Sequence, residues 1–152
     1  MSRDNTKNRR LDSLIKLRQT DRDEKRTLFA SAMRSRDALT ARIAELDRSL
    51  EELRQEWKAL QLSGEATVER LVLYPPRRDY LESQRQALMT ELEQLDTEIA
   101  VKRAALEESV RQVKVLDKLK ARRQEAAEEE ARRRDERLSD DQALRRDNEK
   151  TN

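Results

Sequence analysis

The sequence is poor in the residues from which most catalytic and cofactor sites are built. Among 152 residues there are one glycine, no cysteine and no histidine. Phosphate-binding loops and dinucleotide fingerprints need several glycines, because their backbone must approach phosphate closely. Zinc sites, disulfide frameworks and thiol or imidazole nucleophiles need cysteine or histidine. We therefore expect this chain to bind neither a metal nor a cofactor.

Aromatic residues and long apolar runs are also scarce. Aromatic residues make up 3% of the chain, and no apolar run approaches the roughly 20 residues that span a bilayer. The N-terminal segment mixes acids and bases, unlike a secretory signal. Carboxylates are abundant, but acid–base catalysis needs a pocket that separates their pKa values. These features favour a cytoplasmic protein without direct membrane insertion, which is not an enzyme and has no catalytic residues.

The sequence is rich in charge and in helix-forming residues. Charged residues make up 43% of the chain, and 34 basic against 32 acidic residues leave a formal net charge of +2. Ala, Glu, Lys, Leu and Arg together account for about 59% of the residues, above the roughly half that is typical of coiled coils. Disordered chains also have low hydrophobicity, but they usually carry a high net charge. The composition therefore predicts an all-α protein, provided that its apolar residues are periodic.

Apolar residues recur at alternating steps of four and three in two segments. The first segment contains Leu39, Ile43, Leu46, Leu50, Leu53, Trp57 and Leu60. The second contains Leu88, Leu92, Leu95, Ile99, Leu106, Val113 and Leu116, with Lys102 and Ser109 at the remaining positions of the repeat. This heptad pattern predicts two helices that pack along a narrow apolar seam. Before Leu39 the seam thins to small and charged residues, until Leu11, Leu14, Ile15 and Leu17 restore it. We therefore expect the N-terminal third of helix 1 to be loosely packed.

Gly64 and Pro75-Pro76 interrupt the chain between these segments. Glycine readily takes the left-handed conformation that closes a helix, and proline is tolerated in the first helical turn. We therefore expect a long antiparallel two-helix coiled-coil hairpin with a short helical or structured tip. The expected segments are a flexible N-terminus over 1–8, helix 1 over 9–62, the tip over 63–76, helix 2 over 77–137 and a frayed, disordered charged tail over 138–152.

The matched lengths of the two helices favour a monomeric hairpin. If Leu60 meets Leu81 across the turn, the numbers of facing residues add up to about 141, which places Ile43 near Ile99. Near the open end, the same register places Leu14 and Leu11 opposite Ala126, Ala127 and Glu130, a weak pairing. A parallel homodimer of two bent chains is the alternative. The two prolines between helices of similar length favour the hairpin over that dimer.

Three of the four aromatic residues lie near the expected tip. Trp57, Tyr74 and Tyr80, together with Leu73, would stand where few partners exist to bury them. Exposed aromatic clusters are typical of the anchors of protein interfaces. The alternative is that Trp57 is an ordinary seam residue and that the tyrosines merely cover the turn.

The N-terminal region is basic. Residues 1–26 contain nine Lys or Arg and five acidic residues, an excess that could meet an acidic protein surface, nucleic acid or an anionic membrane. No aromatic residues are interleaved for base stacking, which disfavours a dedicated nucleic-acid reader. An ordinary solvated helix face is an equally simple interpretation.

The order of these features resembles the FliJ/YscO family of type III export-apparatus proteins. The resemblance is carried by the opening RRLDSLIKLR, the heptad stretch ALTARIAELDRSLEEL, the break SGEAT and the finish VKVLDKLKARRQEAAEEEARR. It covers nearly the full chain. Unlike the flagellar branch, the chain lacks an aromatic residue near its start and has two prolines after the tip tyrosine, which favours the virulence injectisome branch.

The resemblance implies a non-enzymatic central stalk. Family members are similar to the stalk of rotary ATPases: they sit in the pore of a hexameric export ATPase, contact the cytoplasmic domain of the export gate membrane protein, and handle substrate chaperones. On this chain, the implied ATPase-binding end comprises Arg9, Arg10, Arg18, Arg22, Lys25, Arg26, Lys120, Arg122 and Arg123. The implied tip contact comprises Trp57, Leu73, Tyr74 and Tyr80. The protein would be cytoplasmic, at most peripheral at the inner-membrane export apparatus.

Two other functions stay open. A generic coiled-coil scaffold or tether would homodimerise through its arms, and sedimentation would then show a dimer instead of an elongated monomer. A helical arm that grips structured RNA by its Arg-rich ends would bind RNA with a steep dependence on salt. The leading hypothesis is the export-apparatus stalk, with no nucleic acid among its partners.

Overall fold

The computed structural model consists of two long helices. It describes the backbone of residues 2–64 and 67–150, and the side chains of residues 6, 8–64 and 67–143. Helix α1 spans Ser2–Ser63 and helix α2 spans Val68–Lys150. No strand occurs in these described ranges. The two helices pack against each other, which confirms the all-α helical hairpin that the heptad pattern predicts.

The turn between the helices is short. Gly64 follows the last residue of α1 and has a φ of 69°, which is the left-handed conformation that glycine adopts without steric cost. The carbonyl of Thr67 accepts a hydrogen bond from the backbone N–H of Leu71 at 3.1 Å, the first bond of the α2 ladder. Glu69 lies in the first turn of α2, where a carboxylate favours the positive end of the helix dipole.

Helix α2 begins nine residues before the predicted start of helix 2 at Arg77. Pro75 and Pro76 therefore lie inside α2, and no separate short helix precedes them in the described part of the tip. Proline lacks a backbone N–H, so the carbonyls of Leu71 and Val72 receive no bond from these two positions. Pro75 and Pro76 are the eighth and ninth residues of α2, so they lie beyond the first turn, in which a helix tolerates proline without losing a bond.

Both outer ends of the hairpin are helical where the sequence predicts loss of structure. Helix α1 begins at Ser2 and α2 continues through Lys150, whereas the sequence suggests a flexible segment over 1–8 and a disordered tail from Leu138. Residues 151 and 152 of that tail, like Met1, lie outside the described residues. Opposite charges four residues apart explain the helical tail, because such pairs support a helix without a packing partner.

The chain divides into two compact units, each built from a segment of α1 and a segment of α2. The tip unit comprises Asp23–Glu107, and the terminal unit comprises Met1–Arg22 and Glu108–Asn152. Their buried apolar side chains follow the heptad pattern. In the tip unit these are Ala32, Leu39, Leu53 and Ile99, and in the terminal unit they are Leu11, Ile15 and Val113.

The register of the tip unit differs from the predicted one. Arg36 pairs with Asp96 at 2.7 Å, and Arg85 pairs with Asp47 at 2.5 Å, so the numbers of facing residues add up to 132. The predicted value of about 141 is therefore wrong, and Ile43 does not face Ile99. The two registers differ because the turn is shorter than predicted. Residues 68–76, which were predicted to belong to the tip, are part of α2.

The terminal unit is better packed near the N-terminus than the sequence suggests. Leu11 and Ile15 are buried, and Lys120 pairs with Asp12 at 2.7 Å, which again gives a sum of 132. The predicted weak pairing of Leu14 and Leu11 with Ala126, Ala127 and Glu130 is wrong, because the register differs by nine residues. Between Ile15 and Ala32 no side chain is buried, so the seam is thin there, as the sequence predicts. The most buried side chain in this unit is polar: Ser109 has 2% of its surface exposed.

The register also determines where pairing with α1 ends. Since α1 starts at Ser2 and facing numbers add up to 132, no described α1 residue stands opposite α2 beyond about residue 130. The side chains of residues 131–143 are all exposed. Ion pairs within α2 link Arg132 and Arg133 to Glu129, and Arg134 to Glu130. We call residues 131–150 the C-terminal extension of α2.

Within the described parts of the chain, neither helix contains a stretch that is long and apolar enough to cross a membrane.

Candidate protein-binding surfaces

An aromatic pair in the tip unit joins the end of α1 to the start of α2. The rings of Trp57 and Tyr74 stack with their centroids 4.4 Å apart and an interplanar angle of 22°. The short turn brings these two residues together, because it places Tyr74 opposite Trp57 in the same register as the ion pairs. Stacked aromatic rings contribute about 1 kcal/mol beyond the area that they bury.

The stacked rings form part of an open groove of about 630 Å³. We call this the tip groove. Helix α1 lines it with Leu53, Glu56, Trp57, Ala59, Leu60 and Ser63, and α2 lines it with Arg70, Leu73, Tyr74 and Arg77. The α2 residues follow the spacing i, i+3, i+4 and i+7, which is one face of a helix. The same spacing recurs in α1 at Leu53, Glu56, Trp57 and Leu60.

Several apolar side chains of the tip unit are exposed. Leu73 lines the groove and has 68% of its surface exposed. Leu62, Val68 and Val72 do not line the groove but are exposed as well. Exposed apolar surface in a groove is typical of interaction sites.

The structure brings three of the four predicted tip residues together. Trp57, Leu73 and Tyr74 line the tip groove, whereas Tyr80 does not. Tyr80 is exposed, and its hydroxyl accepts a hydrogen bond from Gln84 Nε2 at 3.1 Å. Arg70 and Arg77 also line the groove, but they were not predicted there, although their i, i+7 spacing around Tyr74 carries the signal. The predicted tip ends at Pro76, so the two arginines were assigned to different elements.

The charges around the groove are mainly positive. Arg77 pairs with Glu56 at 4.0 Å, which is the outer limit of an ion pair. Arg70 is exposed, and no ion-pair partner of Arg70 is found among the described residues. Arg78, which follows Arg77 directly, donates two hydrogen bonds to Asp79, and this contact raises the pKa of the Arg78 guanidinium.

The nine basic residues predicted at the ATPase-binding end fall into both units. Lys25 and Arg26 belong to the tip unit. The terminal unit contains Arg9, Arg10, Arg18, Arg22, Lys120, Arg122 and Arg123. Of these seven, Arg22 and Lys120 are half-buried and the other five are exposed. Lys120 is engaged with Asp12, so its charge is partly neutralised.

The terminal unit also exposes apolar side chains that the sequence analysis did not single out as a surface. Leu17 and Val115 are exposed, and Leu14 and Leu119 are partly exposed. Because the numbers of facing residues add up to 132, Leu17 and Val115 lie at the same height along the helix pair. Leu14 and Leu119 lie at nearly the same height as each other. Leu14 and Leu17 lie outside the buried seam positions, which Leu11 and Ile15 occupy.

No group of three or more acidic, histidine or cysteine side chains that could hold a metal ion occurs in the part of the chain that the structure describes. The surfaces that the structure does present are an apolar groove with basic edges and a basic helix pair. Both suit contact with other proteins.

The fold defines the class of an all-α, coiled-coil-like helical hairpin. The family model described as "Flagellar FliJ protein" matches residues 6–151. The chain belongs to the FliJ family, whose members are non-enzymatic components of flagellar and related type III export apparatuses. No curated protein and no solved structure gives a match.

Proposed function

We propose that this protein is the central-stalk and adaptor component of a cytoplasmic type III export apparatus. In this proposal the terminal unit binds a hexameric export ATPase, and the tip groove contacts the export gate or substrate chaperones. The protein would act in the cytoplasm, or peripherally at the inner-membrane export apparatus, without catalysing a reaction itself. The injectisome branch stays a prediction from the sequence, and the matched family model carries the flagellar description.

The observation that carries the proposal is the presence of a different exposed surface on each unit. The tip unit exposes an apolar aromatic groove, and the terminal unit exposes five of the predicted basic residues. An adaptor needs two such surfaces, because it must hold two partners at once. Basic side chains that are not buried speed up association with an acidic partner and set its orientation.

The ATPase contact is tested with purified components. We expect the protein to increase hexamer formation and ATP hydrolysis by the cognate export ATPase, measured by sedimentation and phosphate release. The variant Arg9→Glu, Arg10→Glu, Arg18→Glu should lose most of this effect. The matched control Arg34→Glu, Arg42→Glu, Arg48→Glu changes three exposed arginines of the tip unit and should retain it. Absence of any effect of the unmodified protein would remove the stalk proposal.

A homodimeric scaffold is the second candidate, and the exposed Leu17 and Val115 of the terminal unit favour it. A second copy could cover these side chains and bury their apolar surface. Sedimentation equilibrium distinguishes the two candidates, because the stalk should stay a monomer up to high micromolar concentration. A dimer that the change Leu17→Glu dissociates would support the scaffold.

A further inference from the structure

We propose that the tip groove binds an amphipathic helix with acidic flanks, supplied by another protein. This inference adds chemical detail to the tip contact of the proposed function. It rests on that proposed function for the identity of the protein that supplies the helix. It specifies the chemistry of the bound segment, which neither the family nor the proposed stalk function determines.

The two walls of the groove indicate a helical occupant. Each wall is one helix face, and its residues repeat at i, i+3, i+4 and i+7. A third amphipathic helix lies in such a groove with apolar side chains at the same spacing. An extended peptide would need the edge of a sheet to satisfy its backbone, and the residues that the structure describes contain no strand.

The length of the groove sets the length of the occupant. On α1 the lining residues run from Leu53 to Ser63, and on α2 they run from Arg70 to Arg77. At 1.5 Å per residue these segments are about 15 Å and 10 Å long. A helix of two to three turns therefore fills the groove, with two or three apolar side chains against Leu60, Leu73 and the aromatic pair.

The arginines on the α2 edge of the groove favour a bound helix that carries acidic residues on its flanks. Arg70 and Arg77 lie on the same side of α2, about 10 Å apart along the helix axis. Glu56, on the opposite wall, is already paired with Arg77 at 4.0 Å, which leaves a positive excess on the α2 side. Carboxylates on one flank of the incoming helix would pair with both arginines, whereas basic flanks would be repelled.

Trp57 is the single tryptophan of the chain and lies in the groove, so its fluorescence reports occupancy directly. The full-length protein is titrated with three synthetic peptides of equal length. The first is an amphipathic helix with leucines at i, i+3, i+4 and i+7 and glutamates on the flanks. The second has the same leucines and lysine flanks, and the third is proline-rich, since aromatic grooves also accept polyproline helices.

We expect the acidic helix alone to shift the Trp57 emission to shorter wavelength with saturable binding. Leu73→Ala should weaken its affinity about tenfold, because the leucine loses its buried contact with the peptide. Arg70→Glu should weaken it severalfold at low salt, and the difference should shrink at high salt. The controls Leu28→Ala and Lys58→Glu change exposed residues of the tip unit outside the groove and should leave the affinity unchanged.

Each opposite result overturns the inference. Equal binding of the lysine-flanked helix would show that the arginines select nothing, and stronger binding of the proline-rich peptide would replace the helix as occupant. No spectral change with any peptide, or no effect of Leu73→Ala, would also refute it. Leu73 is exposed, so circular dichroism should show intact helix in this variant. Because the assay contains no ATPase, its failure leaves the ATPase result of the stalk proposal standing.

Discussion

Both units consist of a segment of α1 and a segment of α2, but different interactions stabilise each unit. In the tip unit, three ion pairs between the helices and a stacked aromatic pair accompany the apolar seam. In the terminal unit the seam includes the buried Ser109, and α2 continues past the last facing residue of α1. There, ion pairs within one helix replace contacts between helices. The comparison shows that ion pairs within one helix can support the C-terminal extension, where α1 no longer packs against α2.

The largest expected effect comes from breaking the seam of the tip unit. Leu53 has 6% of its surface exposed, and Leu53→Ala should lower the free energy of unfolding by about 3 kcal/mol, since it removes buried methyl groups and leaves a cavity. Urea denaturation followed by circular dichroism measures this loss. Leu28→Ala, an exposed leucine of the same unit, should cost less than about 0.5 kcal/mol. Equal losses in both variants would contradict the assignment of Leu53 to the core.

A change in the opposite direction is expected at the prolines of α2. Pro75→Ala restores a backbone N–H that can bond the carbonyl of Leu71, and it removes the clash of the ring with the preceding turn. We expect a gain of about 2 kcal/mol in the free energy of unfolding, measured as a higher urea midpoint. The comparable change Gln84→Ala, on an exposed face of α2, serves as control and should have little effect. A loss of stability in Pro75→Ala would mean that α2 does not pass through this position as a regular helix.

The ion pairs of the tip unit should contribute less than its apolar seam. A double-mutant cycle with Arg36→Gln and Asp96→Asn should give a coupling energy of about 0.5 kcal/mol, because both side chains are more than a third exposed and water screens them. The coupling should decrease when the salt concentration is raised. A cycle on Arg36 and Glu93, which are not paired in the structure, should show no coupling. Coupling in that second cycle would indicate a register other than the one described.

The smallest effect is expected in the C-terminal extension. Deletion of residues 132–152 removes the exposed residues 132–143 and the ion pairs of Glu129 and Glu130. The free energy of unfolding should change by less than about 0.5 kcal/mol, while the helical signal falls in proportion to the residues removed. A lower urea midpoint after the deletion would show that the extension packs against another part of the chain.

The heptad steps of the sequence were sufficient to predict two antiparallel helices, but they could not determine the register. A seam that repeats every seven residues offers several alignments in which leucines face leucines. The length of the turn decides among them, and Pro75-Pro76 suggested a longer turn than the chain forms. Proline is favoured at the first position of a helix, so the pair suggested a helix start at this point, whereas α2 begins seven residues before Pro75.

The same ambiguity limited the prediction of the tip groove. Trp57 and Tyr74 were recognisable, because aromatic residues are scarce in this chain and these two lie near the break. Arg70 and Arg77 become neighbours of Tyr74 only when one helix runs through both prolines. The prediction of the groove therefore failed because the sequence did not show that α2 is continuous through the prolines, not because of the residue types. The packing of Leu11 and Ile15 was misjudged for the same reason, since their partners depend on the register.

The register constrains how the length of this protein can change in evolution. Facing residues add up to between 131 and 133 from the tip groove to the pair of Asp12 and Lys120. One residue inserted into either helix turns the following side chains by about 100° and moves apolar residues out of the seam. An insertion of seven residues nearly restores the face, but only an equal insertion in the other helix keeps the ion pairs. Relatives should therefore differ by matched heptads in the paired region, and by any number of residues in the extension beyond it.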